Sequence, residues 1–248
     1  MKKLPVRFVI VRTLTNTLML GALFYLVLVF GPMLKLEIAY RWREWRGVSY
    51  TVDPVDNANQ QPSTDNQKSD VGLKMVASNT PVVENSYFSL KSTKPVPREI
   101  KVAPVSTDFG LVIEKIGVNV PVVANVDSAD YEEYTQALRL GVAHAKGSSL
   151  PGEAGNVYIH GHASLGFWEL GSYATVFTML SKVERGDRVV VFYEGKRFDY
   201  EVFNKETFPG YDITPLAREF EESVLTIQTC DPPGTTLNRL IVTARLIS

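Results

Sequence analysis

SVLTIQTCDPPGTTLNRLIVTAR, residues 223–245, contains the only cysteine in a chain of 248 residues. It lies between two runs of strand character. Residues 224–229 are rich in β-branched side chains and 240–244 form a second apolar run, so the two read as strands joined by the eight residues DPPGTTLN. A connection that short makes them antiparallel neighbours. Cys230 then ends the first strand and Arg239 opens the second, which brings a thiol and a guanidinium to one rim of a sheet. Arg239 and Arg245 share a strand face because side chains repeat every two residues, yet six residues of strand separate them by roughly 20 Å. Only Arg239 can reach the thiol.

A free cysteine is most often inert packing. At a strand end beside a fixed positive charge the thiolate is favoured over the thiol, and the thiolate is the nucleophile. Composition narrows the alternatives. An apolar fraction of 45% with a net charge of -1 marks a folded chain and gives no reason to expect nucleic acid. A lone cysteine excludes an intramolecular disulfide, and no closely spaced cysteines and histidines form a structural zinc site.

Between Arg12 and Lys35 run 22 uncharged residues, TLTNTLMLGALFYLVLVFGPML, long enough to cross a bilayer as one helix over about 13–34. A cleaved signal peptide would have a shorter apolar core and a small-x-small site after it, which this run lacks. Basic residues flank both ends, Lys2, Lys3, Arg7 and Arg12 before, Lys35, Arg41, Arg43 and Arg46 after, so charge alone does not decide the orientation. The run RWREWR, residues 41–46, suits a headgroup surface. Residues 51–80 turn to Asn, Gln, Asp, Ser and Pro, a composition that cannot bury enough surface to fold. Residues 81–105 are mixed, with a candidate strand at 87–90. The expected division is therefore an anchor at 1–46, a flexible linker at 47–105 and a folded domain at 106–248.

From Phe109 onward short strand candidates follow closely: LVIEKI, VNVPVV, NVYIH, RVVVFYEG and KRFDYEVF, then the two around Cys230. Many short strands punctuated by glycine turns predict a mainly β, closed or nearly closed barrel with few helices. Helices are expected at 128–138, at 177–184 and just after Thr214, where threonine as cap and Pro215 at the first helical position form a start signal.

A cysteine nucleophile needs a proton partner among His144, His160 and His162. His160 and His162 flank Gly161 at the end of NVYIH, a rim position like that of Cys230, and spacing does not choose between them. His144, in GVAHAKGSS, reads as a surface or turn group.

The run TIQTC with a downstream arginine resembles the TLxTC motif of the sortases, membrane-anchored bacterial cysteine transpeptidases. GNVYIHGHAS is similar to the family segment in which a strand leads into Gly-His, and LVIEKIGVNVPV, GVAHAKGSSLPGEAGN and FTMLSKVERGDRVVV resemble further family segments in the expected order. The resemblance covers about residues 108–248. Isoleucine at 227 departs from the usual leucine, a swap of similar volume. The chain stops directly after the last strand and no aromatic lid motif follows Asp53-Pro54. These features point to an N-terminally anchored enzyme outside the pilin-polymerising class with a C-terminal membrane helix.

The resemblance implies Cys230 as nucleophile, His162 as catalytic histidine, Arg239 as stabiliser of substrate or oxyanion and Thr229 as a pocket-lining residue. It implies a domain outside the cytoplasmic membrane that cleaves a C-terminal sorting signal of secreted proteins. The acyl group would be held as a thioester on Cys230 and passed to an amine of a peptidoglycan precursor or protein subunit. No cofactor is required for this chemistry. Some relatives bind calcium, but the sequence assigns no such site. The alternatives are a hydrolytic cysteine peptidase and a non-catalytic anchored binding module.

Overall fold

The computed structural model describes residues 6–52, 98–164 and 172–248. Helix α1 (Val6–Trp45) contains the apolar run, and its most apolar window has a mean hydropathy of 2.1 with none of it buried against the rest of the chain. It is longer than the 13–34 expected. RWREWR continues the helix as far as Trp45 because nothing in it breaks the backbone ladder, and the helix stops ahead of Gly47, which takes a left-handed conformation at φ 63°.

Two short strands follow in parallel register, β1 (Val48–Val52) and β2 (Arg98–Val102). Both lie inside the segment expected to be flexible linker, so that expectation is corrected at its two ends. The candidate strand at 87–90 lies outside the described residues.

Eight strands form the barrel: β3 (Phe109–Ile113), β4 (Val118–Val126), β5 (Val142–Ala145), β6 (Gly155–His160), β7 (Arg188–Tyr193), β8 (Lys196–Pro209), β9 (Ser223–Asp231) and β10 (Asn238–Leu246). They close in the order β10-β8-β7-β3-β4-β5-β6-β9, as the density of short strands predicts. Helix α2 (Tyr131–Leu140) is the crossover between the parallel strands β4 and β5. The barrel interior is filled by side chains such as Leu111, Val122, Ile159, Val191, Leu225 and Val242, and Ile227 belongs to the same core. Strand β3 is buried throughout because its other face, with Val190 and Phe192 of β7, is covered by Val52 of β1.

Two helix expectations fail. Residues 177–184 form turns around a single 3-10 turn at Leu180–Lys182, whose Phe177, Leu180 and Val183 join the core, so burial rather than helical periodicity explains their apolar spacing. After Thr214 there is only a turn. Asp212 accepts from the Thr214 amide at 2.8 Å, and the residue expected as cap is itself capped. The third helix exists but starts later, at Tyr131, where the Asp130 carboxylate accepts from the amides of Glu132 and Glu133.

The strand registers decide where chemistry can sit. Ile113 faces Val118 and Val189, Val122 faces Val142, Ala143 faces His160, and Asn238 faces both Pro209 and Asp231. One end of the barrel therefore gathers the C-terminal ends of β3, β6, β8 and β9 with the starts of β4, β5, β7 and β10.

Candidate active site

Strands β9 and β10 pair Cys230 directly with Arg239, and the Arg239 Nη1 donor lies 3.6 Å from the Cys230 Sγ. The same nitrogen donates to the carbonyls of Asn238 at 3.2 Å and Thr236 at 3.5 Å, which fixes the guanidinium at the mouth of the β9–β10 turn. Arg245 pairs instead with Val224, and its guanidinium stacks over the Phe203 ring at 5.2 Å. The thiol is half-buried. Leu225 and Ile227 point into the barrel, so by alternation Gln228 and Cys230 belong to its outer face.

His162 lies two residues past β6 and is half-buried, and its carbonyl accepts from the Phe177 amide at 2.9 Å. Burial lowers its pKa below the ordinary imidazole value. Gly161 is fixed from both sides: its amide donates to the Gln228 carbonyl at 3.0 Å, and its carbonyl accepts from the Thr229 hydroxyl at 2.8 Å. A β-carbon at this position would collide with the Phe177 ring. Thr229, expected to line the pocket, does border the cleft, but it is 3% exposed and its hydroxyl is committed to Gly161. The Gly234 amide donates to the Ala163 carbonyl at 2.6 Å and so ties the β9–β10 turn to the loop after His162.

Cys230, His162, Arg239 and Thr229 line one cleft of about 270 Å³. Tyr134 of α2, Asp212, Ile213 and Leu216 of the β8–β9 loop, and Tyr158, His160 and Gln228 are among its other lining residues. Sequence reasoning missed Tyr134, Tyr158 and Gln228. The alternation of YIHGH and TIQTC places the latter two on the cleft face and could have found them. Tyr134 arrives by tertiary packing of the crossover helix, for which no local signal exists. Burial, with a smaller contribution from Cys230, pushes its phenol up to about 12.

Of the other histidines, His144 differs from its sequence reading. His144 is not a surface group: it is 2% exposed in β5, its Nδ1 accepts from the Asn125 amide at 3.2 Å, and its Nε2 bonds the Ser149 carbonyl at 3.0 Å. The small residues around it let the chain close over the ring. His160 is 6% exposed, and burial, with lesser contributions from His144 and Arg239, holds its pKa down to about 4. No group of three or more His, Cys, Asp or Glu side chains converges as a metal site among the described residues.

Residues 111–247 match the sortase domain family. The chain therefore belongs to the sortase family, and a transpeptidase function follows from that membership. It is 25% identical over 177 residues to sortase D of Bacillus subtilis (strain 168), covering 65% of this chain and 80% of that protein. Among solved structures it is similar to sortase C-1 of Actinomyces oris, with 28% identity, a TM-score of 0.48 and coverage of 58% of this chain and 76% of that one. It is also similar to the sortase D5 transpeptidase of Clostridium perfringens, with 26% identity, a TM-score of 0.46 and coverage of 58% and 80%.

Proposed function

We propose that the chain is an N-terminally anchored cysteine transpeptidase in which Cys230 is the nucleophile, His162 the proton carrier and Arg239 the stabiliser of negative charge. The observation that supports this most is the 3.6 Å approach of Arg239 Nη1 to Cys230 Sγ at the mouth of a cleft that His162 also lines. The sulfur attacks the carbonyl carbon of a peptide bond in a C-terminal sorting signal. The C–N bond breaks and the departing amine takes a proton from His162. The acyl group remains as a thioester until an acceptor amine attacks it, gives a proton back to His162 and releases the Cys230 thiolate. Arg239 offers donors to the carbonyl oxygen as it becomes negative. Because burial disfavours the charged imidazole, only a minority of molecules at neutral pH have the proton in place on His162, and slow turnover follows.

Residues 1–46 then serve as anchor and about 106–248 as catalytic unit, with the domain outside the cytoplasmic membrane. The acceptor amine belongs to a peptidoglycan precursor or a protein subunit. Intact-protein mass spectrometry after incubation with a peptide library tests this reading. An acyl adduct on Cys230 that is absent from Cys230→Ala, and that amines rather than water discharge, is the expected result. Adduct formation in Cys230→Ala would end the assignment, and discharge by water alone would make the enzyme a hydrolase.

A further inference from the structure

The floor of the cleft contains a polar group with no partner. The Tyr158 hydroxyl donates to the Gln228 Oε1 at 2.6 Å, which orients the amide so that its nitrogen meets His160 Nδ1 at 3.3 Å. With Nδ1 accepting, the neutral imidazole carries its proton on Nε2. That Nε2 is buried and has no hydrogen-bond partner. A buried unpaired donor costs stability, so a fold retains few of them. The one fixed bond at each end of Gln228 also leaves its amide a second N–H. His160 stays uncharged because burial holds its pKa down to about 4.

The surroundings say what could satisfy these donors. His160 stands two residues before His162 and pairs in register with Gln228, which stands two residues before Cys230, so the donors lie one strand step behind the reacting groups. The cleft walls nearby are aromatic and polar: the Tyr134 ring stands edge-on to the imidazole at 6.0 Å, and Asp212 lines the same cleft. Tyr134 is half-buried on an amphipathic helix, and its ring packs against the imidazole of His160.

We propose that His160 is a specificity-determining residue that selects a sorting signal with an amide side chain, Asn or Gln, on the cleft floor. This rests on the peptide-acylation reading above and names the substrate class for it. The amide oxygen accepts from the His160 Nε2–H, and the amide nitrogen has the Asp212 carboxylate as an acceptor in the same cleft. An apolar side chain of equal size would leave the buried N–H unpaired. A carboxylate would share the cleft with Asp212.

The test compares rates of Cys230 acylation for peptides in which each position upstream of the cleaved bond is in turn Asn, Leu or Asp. At one position Asn should exceed both Leu and Asp by about tenfold or more, the scale of one buried unpaired hydrogen-bonding group. In His160→Leu the Asn-to-Leu ratio at that position should fall to about one or invert. His160→Gln, which restores an N–H donor, should recover part of it. The ratio is taken within each variant, and near-ultraviolet circular dichroism checks that each is folded. Acylation without any Asn preference, or a preference that survives His160→Leu, overturns the proposal while leaving the transpeptidase reading intact. No acylation by any peptide overturns both.

Discussion

Arg239 and Arg245 share one strand face, yet the barrel gives them different neighbours, a thiol for one and the Phe203 ring for the other. Lysine at 239 keeps the charge but loses the planar fork, so Arg239→Lys should lower peptide acylation at least about tenfold, whereas Arg245→Lys should be nearly silent. Sensitivity at 245 instead of 239 would sink the site. His162→Ala should cost about a hundredfold or more in acylation rate, the scale of general acid–base catalysis. His144→Ala should show its effect in the unfolding midpoint, because that ring bridges Asn125 and Ser149 inside the fold. His160 couples stability to pH. It takes up a proton near 6.5 in the unfolded chain but only near 4 in the folded one, so acid favours unfolding. The stability contributed by its neutral form is complete above about pH 6.5 and is lost as pH falls towards 4, to a total of roughly 3 kcal/mol. His144 and His162, also lowered by burial, act in the same direction. Urea unfolding at pH 7.5 and pH 5 should show His160→Leu losing about 2 kcal/mol less than the parent chain. Equal losses would mean that His160 is not a buried neutral group.

At the scale of elements, what the sequence revealed follows from where local rules act alone. The β9–β10 hairpin was legible because one run is rich in β-branched residues, the other is apolar and the turn between them is short, so Cys230 and Arg239 could be paired before any fold was known. The 177–184 segment was not, since its apolar spacing serves a plug at the barrel end rather than a helix face. His144 was misread because small residues mark a turn as readily as a tightly closed strand. Strands β1 and β2 were hidden by the low-complexity composition between them, and only their contacts reveal them. The Val52 amide donates to Glu114 Oε1 at 3.0 Å, its carbonyl accepts from Arg197 Nη1 at 2.9 Å, and its side chain covers Val112, Val190 and Phe192. Asn119 bridges the Ala103 carbonyl and the Val105 amide at 2.8 and 2.9 Å. A fragment beginning at Val105 loses all of these except the contact between Val105 and Asn119. It should unfold at lower urea than one beginning at Gly47, by about 2–4 kcal/mol from one buried valine and its hydrogen bonds. Equal midpoints would restore the whole of 47–105 to the status of a tether.

For the molecule as a whole, the end of the barrel that α1 meets is the end that carries the cleft. The Arg43 Nη2 donates to the Lys115 carbonyl at 2.7 Å, beside the β3–β4 turn, and its guanidinium covers Tyr50 at 4.9 Å. Lys182, in the plug at the same end, bridges Glu37 at 3.1 Å. Cys230, His162 and Arg239 stand at the β6, β9 and β10 termini of that end. Leu34, the last residue of the uncharged run, is about 5 Å of helical rise from Glu37. With α1 in a bilayer, the reacting end is thereby held close to the surface, where a sorting signal still attached to its own membrane segment would arrive. Fixing both partners to one surface raises their effective concentration only if the enzyme's geometry is held. Full-length enzyme in lipid vesicles with a membrane-tethered sorting signal should therefore react faster than an Arg43→Ala, Lys182→Ala double variant, by a factor of about three to ten. On a short soluble peptide the two should react alike. A loss of equal size on both substrates would mean that the clasp merely supports the fold, and no loss on either would mean that the barrel turns freely beneath its anchor.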